Sequence, residues 1–131
     1  MTVKSEHDIP FISTDDIGDV AARYLLDDSW AGQWSRNLMG PENITLTQAA
    51  EILSEALKKP VAYRQSSLDA AGQELINFGL PETIKQELID LFKALGDPNG
   101  VYATARTAED FTPTTFKKFV ENKLMPSLNA N

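Results

Sequence analysis

The chain has 131 residues, of which 42% are hydrophobic, and it contains no cysteine. This length suits one domain, and the lack of cysteine excludes disulfides, thiolate metal sites and cysteine nucleophiles and fits a reducing, cytoplasmic compartment. The net charge is -7, so a nucleic-acid surface is not expected. No apolar run approaches about 18 residues, so no membrane span is expected.

The first residues of the chain are polar, and residues 1–8 are expected to form a flexible tail. The tail holds the chain's one histidine, His7, which is expected to be solvated. Residues 9–12, with the sequence Ile-Pro-Phe-Ile, form a short apolar run between polar residues. That pattern predicts a strand.

A first helix is predicted from Thr14, as the N-cap, to about Leu26. Asp15 and Asp16 follow the cap in the first turn, where the helix dipole favours acidic side chains. The same two carboxylates could also begin a site for a hard metal ion. The first-turn interpretation is favoured because it explains both residues without a ligand.

Residues 34–39, from Trp to Met, predict a second strand that stops at Gly40. Thr45 and Gln48 have the spacing of a capping box, which predicts the start of a second helix. Pro60 is expected to end that helix, because proline cannot continue it.

Residues 61–64 predict a third short strand. A helix capped by Ser66 or Ser67 should follow and run to about Phe78, with Gly79 just beyond its end.

Pro81 is expected at the first position of the next helix, which Gly96 closes. The last helix is predicted to open at Thr112 and to end at Pro126. Residues 1–131 therefore predict a single domain with an α/β or α+β fold, with about five helices and three short, mostly parallel strands.

No chemical motif stands out in the chain. The seven glycines form neither a dinucleotide-binding turn nor a phosphate-binding loop, and no nucleophile, base and orienting group are apparent. No catalytic, cofactor-binding or metal-binding residue is predicted. Aromatic and apolar residues near loops and helix ends are the candidates for lining a pocket for a small apolar ligand. For Trp30, contact at a protein interface is an alternative role. The candidates are Trp30, Phe78, Leu80, Phe92 and Tyr102.

Four stretches of the chain carry a family resemblance in their order and spacing. They are residues 9–22, residues 38–45 with their Gly-Pro-Glu turn, residues 49–63, and residues 112–119. Together they resemble the C-terminal half of NmrA-like proteins, which are atypical relatives of the short-chain dehydrogenases/reductases.

The resemblance implies a substrate-binding and lid region without the nucleotide-binding half of such a protein. A full-length member would bind NAD(P) through a glycine-rich turn that this chain lacks, so NAD(P) is implied for the whole protein and no cofactor for this chain. The chain alone is not expected to be catalytic, and the resemblance leaves open whether a whole protein is a reductase or a redox sensor.

The alternative is a free-standing interaction module without small-molecule chemistry. In the family's topology, residues 34–39 would form the last strand of a larger sheet. Trp34, Leu38 and Met39 place apolar surface on both faces of that strand, and an unpaired strand is a template for another chain. A homo-oligomer formed through Trp34 to Met39 is therefore predicted.

Overall fold

The computed structural model describes residues 4–97, 99–103, 105 and 107–129. Within these ranges, no helix is both long enough and apolar enough to cross a membrane. Helices α1 to α4 are Thr14–Leu26, Leu46–Leu57, Leu68–Asn77 and Glu82–Leu95. A 3-10 turn (Val101–Ala103) follows, and then the C-terminal helix, made of α5 (Phe116–Phe119), a π-helical turn (Val120–Leu124) and α6 (Met125–Asn129).

The predicted α/β or α+β fold with three mostly parallel strands is wrong, because the described part of the chain is helical and has no sheet. Its strand-like pairing consists of two isolated bridges. Ile9 pairs with Ile44 in antiparallel orientation, and Met39 pairs with Phe111 in parallel orientation.

Among the residues that the structure describes, the predicted strands lack neighbours that could complete a ladder. A strand must satisfy its backbone groups on adjacent strands, and short apolar runs far apart in sequence do not ensure this. At the predicted third strand, the Val61 amide donates instead to the Ser54 hydroxyl at 2.9 Å. That hydroxyl donates in turn to the Ala50 carbonyl at 2.8 Å, so α2 takes the place of a partner strand.

Helix starts follow the sequence closely. The capping box of α2 is confirmed, with the Gln48 amide donating to Thr45 Oγ1 at 3.1 Å and the Thr45 amide donating to Gln48 Oε1 at 2.8 Å. Ser13, and not Thr14, caps α1, accepting a hydrogen bond from the Asp15 amide at 3.3 Å. The neighbouring hydroxyls are equally good caps, so residue type alone does not choose between them.

The end of α3 has the predicted glycine. Gly79 has a φ of +88° and follows the C-cap Phe78. Its amide donates to the Ile76 carbonyl at 2.8 Å, and the Leu80 amide donates to the Leu75 carbonyl at 3.1 Å. These two bonds are those of a Schellman motif, which requires the left-handed conformation that glycine adopts without strain.

The C-terminal helix differs from its prediction at both ends. It is capped by Thr115, not opened at Thr112, and it continues through Pro126. Proline lacks an amide proton, and its ring conflicts with the carbonyl four residues earlier. The π-helical turn just before it is wider, with the Met125 amide bonded to the Val120 carbonyl five residues back.

The core lies beneath α2 and the N-terminal segment. Ile9 and Leu46 are buried at its centre, and Val120 of the π-helical turn is completely buried. The partly buried side chains packed against Ile9 and Leu46 are Phe11, Tyr63, Leu95 and Tyr102.

The segment before the core is held by polar and aromatic contacts. The Thr47 amide donates to the Ser5 carbonyl at 3.4 Å, and the Thr47 hydroxyl donates to Glu6 at 3.2 Å. His7 is partly buried, not solvated, with its ring 5.6 Å from that of Tyr102 and its Nε2 shielded from solvent. Residues 1–3 of the predicted tail lie outside the described residues.

The Gly-Pro-Glu turn joins the two ends of the chain. A Cβ on Gly40 would lie 1.6 Å from the Phe11 carbonyl oxygen, so only glycine fits there. Two residues on, Glu42 accepts a hydrogen bond from the Phe116 amide at 3.3 Å, at the start of the C-terminal helix.

Candidate functional site

The apolar side of α1 borders an open groove. The one residue of α1 that is buried is a carboxylate, Asp16. Beside the helix, residues 34–38 form the opposite wall of a cavity of about 200 Å³, which we call the aromatic groove. Its lining residues are Ile17, Val20, Ala21, Tyr24, Trp34, Arg36 and Leu38.

Three aromatic rings stand at one end of the aromatic groove. The ring of Trp34 packs edge-to-face against Tyr24 at a centroid distance of 4.7 Å and against Trp30 at 5.6 Å. The Trp30 indole N–H donates to the Tyr24 carbonyl at 2.8 Å. Trp30 and Trp34 remain 44% and 47% exposed, so the cluster is ordered but accessible. Indole rings of this kind are enriched at binding surfaces.

Arg36 is fixed against the aromatic cluster. Its Nη1 donates to the Tyr24 hydroxyl at 2.8 Å, and its Nη2 donates to the Glu109 carbonyl. The guanidinium carbon lies 6.0 Å from the centroid of the Tyr24 ring, at the limit of a cation–π contact. The guanidinium is therefore held in one place before any ligand arrives.

A second cavity continues the aromatic groove toward the end of α1. It has a volume of about 190 Å³ and is lined by Val20, Arg23, Tyr24, Asp27 and Arg36, three of which also line the groove. We call it the basic end, because it adds a second guanidinium to that of Arg36.

One carboxylate lies among the cations of the basic end. Hydrogen bonds from the Ser29 hydroxyl and amide hold the pKa of Asp27 below its usual value, so this group is ionised at neutral pH. Arginine is always protonated in proteins. Asp27 and the two guanidinium groups therefore offer fixed charge and hydrogen bonds to a ligand.

Polar contacts fasten α1 to the C-terminal segment. Asp16, which is 5% exposed, accepts hydrogen bonds from the Thr114 amide at 2.9 Å and the Thr114 hydroxyl at 2.7 Å. Burial alone would raise the pKa of Asp16, but the hydrogen bonds from Thr114 and Thr112 outweigh it and lower that pKa. Asp15 forms an ion pair of 2.5 Å with Lys123. The two acids thus serve as structural anchors of the helix.

Other cavities lie away from the aromatic groove. One of about 290 Å³ separates α2 from the C-terminal helix, and a smaller one of about 130 Å³ is lined by residues of the segments around Phe11 and Phe116. Across the described ranges, no three His, Asp or Glu side chains are grouped to hold a metal ion.

The five pocket residues predicted from the sequence are dispersed. Trp30 belongs to the aromatic cluster, Phe78 is exposed at the end of α3, and Tyr102 packs against the core. Leu80 follows α3 and Phe92 lies on α4, and both are partly buried. The four cavities described above are lined by other residues, so the role of these five in a ligand site stays a prediction.

Sequence reasoning did not recognise Tyr24 and Arg36 as members of a site. In the sequence, Tyr24 has the spacing of the apolar side of the first helix, and Arg36 is the one charged residue among residues 34–39. Their proximity depends on how residues 34–38 pass over α1, and no local pattern contains that information.

No family model matches the chain. Similar proteins include an uncharacterized oxidoreductase, YesF, from Bacillus subtilis, with 28% identity over 120 residues that cover 90% of this chain and 42% of that protein. An NAD(P)H azoreductase from Xenophilus azovorans is 27% identical over 88% of this chain and 40% of its own length. The prestalk A differentiation protein A of Dictyostelium discoideum is 25% identical, with coverages of 88% and 39%.

The fold is similar to that of part of a solved enzyme. The triphenylmethane reductase of Citrobacter sp. superimposes with a TM-score of 0.65 at 21% identity, over 95% of this chain and 44% of the enzyme. The structure of that enzyme complexed with NADP(H) superimposes with a TM-score of 0.67 at 20% identity, over 92% of this chain and 43% of the enzyme. These matches confirm the predicted resemblance to part of an NAD(P)-binding reductase family. The chain spans about two fifths of the length of the curated relatives it matches.

Proposed function

We propose that this chain is the substrate-binding part of an NAD(P)-dependent reductase-like protein and performs no redox chemistry alone. The observation that carries the proposal is the aromatic groove, where Tyr24 and Trp34 line the cavity in edge-to-face contact and the accessible ring of Trp30 packs against Trp34. Such a surface suits a planar aromatic substrate, because aromatic rings stack or pack edge-on against one another.

The relatives support this choice of substrate class. One is described as an NAD(P)H azoreductase and another as a reductase of triphenylmethane dyes, and a triphenylmethane carries three aromatic rings. A substrate of this kind would insert an aromatic ring between Trp34 and the apolar side of α1. The described residues would bind and orient it, while hydride transfer would belong to a nucleotide-binding part.

We also propose that the described residues alone do not hold a dinucleotide. Pyrophosphate is normally held by free amides at a helix N-terminus that follows a glycine-rich turn. Here the N-termini of α1, α2, α3 and α5 are capped by the hydroxyls of Ser13, Thr45, Ser67 and Thr115, whereas α4, which follows Pro81, has no side-chain cap. None of these starts follows a glycine-rich turn.

Tryptophan fluorescence provides a direct test. The chain has two tryptophans, and both belong to the aromatic cluster, so the emission reports on this site alone. Titration with an uncharged azobenzene carboxamide, corrected for dye absorbance, is expected to give saturable quenching. Trp34→Ala is expected to weaken binding about tenfold, or 1.4 kcal/mol. Phe78→Ala, which removes an exposed aromatic ring outside the groove, should leave the affinity unchanged.

Two results would overturn the proposal. The first is an absence of saturable quenching up to the solubility limit of the dye. The second is bleaching of the dye by NADPH in the presence of the chain alone, at a rate above that in buffer, since this would show redox chemistry in a part proposed to lack it.

Self-association through residues 34–39 is the second candidate function. Trp34 is half-exposed, while the Met39 amide and carbonyl are paired with Asp110 and Thr112 at 2.9 and 3.0 Å. Strand pairing is thus confined to one end of the segment. For this candidate, light scattering is expected to give at least twice the mass of one chain, which is 14.5 kDa. Trp34→Glu should then lower the measured mass to that of one chain. A monomer at all micromolar concentrations excludes this candidate.

A further inference from the structure

The aromatic groove has two chemically different ends, and the difference narrows the choice of ligand. Ile17, Ala21 and Leu38 line the apolar end, and Arg23 with Asp27 lines the basic end. Val20, Tyr24 and Arg36 line both cavities, so a ligand of more than one ring can extend from one end to the other. Binding sites commonly combine an apolar body with a few placed polar groups in this way.

We propose that the site binds a planar aromatic anion, with its rings in the aromatic groove and its carboxylate or sulfonate at the basic end between Arg23 and Arg36. This inference rests on the proposed function and specifies its substrate class. A guanidinium presents paired N–H donors that match the oxygens of such an acid, and charged hydrogen bonds are stronger than neutral ones.

The two arginines differ in how far their charge is already compensated. Arg36 donates to the Tyr24 hydroxyl and the Glu109 carbonyl, and Asp110 interacts with it electrostatically. The carboxylate of Asp110 itself accepts hydrogen bonds from the amide and hydroxyl of Thr107 at 2.8 and 2.9 Å. Arg36 is therefore a hydrogen-bond donor held in a fixed position, and Asp110 balances part of its positive charge.

Arg23 supplies the uncompensated charge. Its side chain is exposed at the last turn of α1, and within the described ranges no hydrogen bond or ion pair engages its guanidinium. Asp27, the carboxylate in the same cavity, accepts a hydrogen bond from the Ser29 amide at 2.9 Å. Two guanidinium groups and one carboxylate line this cavity, and because Asp110 balances part of the charge of Arg36, Arg23 is the group that gives the basic end its positive charge.

Three azobenzene probes of one shape test the charge preference. Calorimetric titration of the full chain is expected to rank azobenzene carboxylate first, its uncharged carboxamide second and a trimethylammonium analogue third. The carboxylate is expected to bind about tenfold more tightly than the carboxamide, and the advantage should shrink as salt is added.

Arg23→Gln separates the charge from the groove. Because Arg23 is exposed and has no hydrogen bond or ion pair with another described residue, the variant is expected to fold normally, to lose the preference for the carboxylate and to bind the carboxamide as before. Lys59→Gln is the matched control, since it removes one exposed positive charge that lines neither cavity. It should leave the ranking of the probes unchanged.

The possible outcomes distinguish failure of the aromatic-anion assignment from failure of the proposed function. Equal binding of the three probes, tighter binding of the cation, or a carboxylate preference that survives in Arg23→Gln overturns the aromatic-anion assignment and leaves the proposed function standing. Failure of all three probes to bind overturns both. A dimer, detected by sedimentation of the same samples, that excludes all three probes also overturns both.

Discussion

Helices α1 and α2 have 13 and 12 residues and similarly amphipathic sequences, yet their surroundings are opposite. In α2, the apolar side chains of Leu46, Ala49 and Ala50 are buried. In α1, the buried residue is Asp16, while Leu25 is 83% exposed. Hydrophobic periodicity therefore predicts that a helix forms and which side is apolar, but it does not predict what covers that side.

The two helices are also attached by different forces. Apolar contacts hold α2 to the core, and these involve no ionised side chain. Hydrogen bonds from Thr114 to Asp16 and the ion pair between Asp15 and Lys123 hold the start of α1. A helix anchored by polar groups at one end can keep its apolar side available for a ligand or partner.

The largest difference in unfolding free energy is expected when one methyl group is added at the Gly-Pro-Glu turn and one in α1. Gly40→Ala places a Cβ against the Phe11 carbonyl oxygen, where the backbone must move, and should lower the free energy of unfolding by at least about 3 kcal/mol. Gly18→Ala in α1 meets no atom within 4 Å and should raise it by about 0.5–1 kcal/mol, because alanine is the better helix former. Urea denaturation measures both, and similar values for the two variants would contradict the comparison.

Truncating one leucine in each helix tests how well each apolar side is covered. Leu46→Ala, at a position that is 7% exposed in α2, is expected to cost about 2–4 kcal/mol of unfolding free energy. Leu25→Ala, at the exposed end of α1, should stay within about 0.5 kcal/mol. Equal losses in thermal or urea unfolding would show that the apolar side of α1 is covered in solution.

Removing the buried carboxylate tests the polar anchor. Asp16→Asn leaves part of the Thr114 hydrogen bonding unsatisfied and is expected to cost about 2 kcal/mol at pH 7. Because hydrogen bonds lower the native pKa of Asp16, its contribution is complete above the unfolded pKa of about 3.9 and is lost as the pH falls through the lower native pKa.

Unfolding measured from pH 7 to pH 2 should therefore show the gap between wild type and Asp16→Asn closing in acid. Asp19→Asn is the matched control, because it removes an exposed carboxylate from the same helix. A gap that stays constant with pH, or an equal gap for Asp19→Asn, would contradict the anchoring role.

The smallest contrast separates two adjacent hydroxyls. Ser13 caps α1, so Ser13→Ala is expected to cost about 1 kcal/mol. Thr14→Ala, one residue later, should stay within about 0.5 kcal/mol. If thermal unfolding shows a larger loss of stability for Thr14→Ala than for Ser13→Ala, Thr14 is the N-cap, as the sequence pattern predicted.

The sequence allowed the helices to be predicted because their signals are local. The capping box of Thr45 and Gln48 and the glycine that ends α3 both act within a few residues. The prediction of three strands is wrong because strand pairing depends on segments that are distant in the sequence. Ile9 pairs with Ile44, and Met39 with Phe111, across separations that no short pattern encodes.

The candidate site was only partly predictable for the same reason. Trp30 is predicted as a pocket or interface residue and residues 34–39 as a strand that pairs with another chain, but the contact of Trp30 and Trp34 with Tyr24 requires the loop after α1 to turn back on the helix. The family resemblance came from several short motifs taken together. One of them, the Gly-Pro-Glu turn, has a clear physical basis in the close approach of Gly40 to Phe11.

The π-helical turn also changes how the C-terminal helix must be aligned. Val120 and Met125 are five residues apart and line the same cavity beside α2, whereas in a regular helix the shared face recurs after three or four residues. Residues after the turn are thus offset by one position, as if a single residue had been inserted. A comparison of homologues that treats 116–129 as one uninterrupted helix would assign the wrong side chains to the face that meets α2.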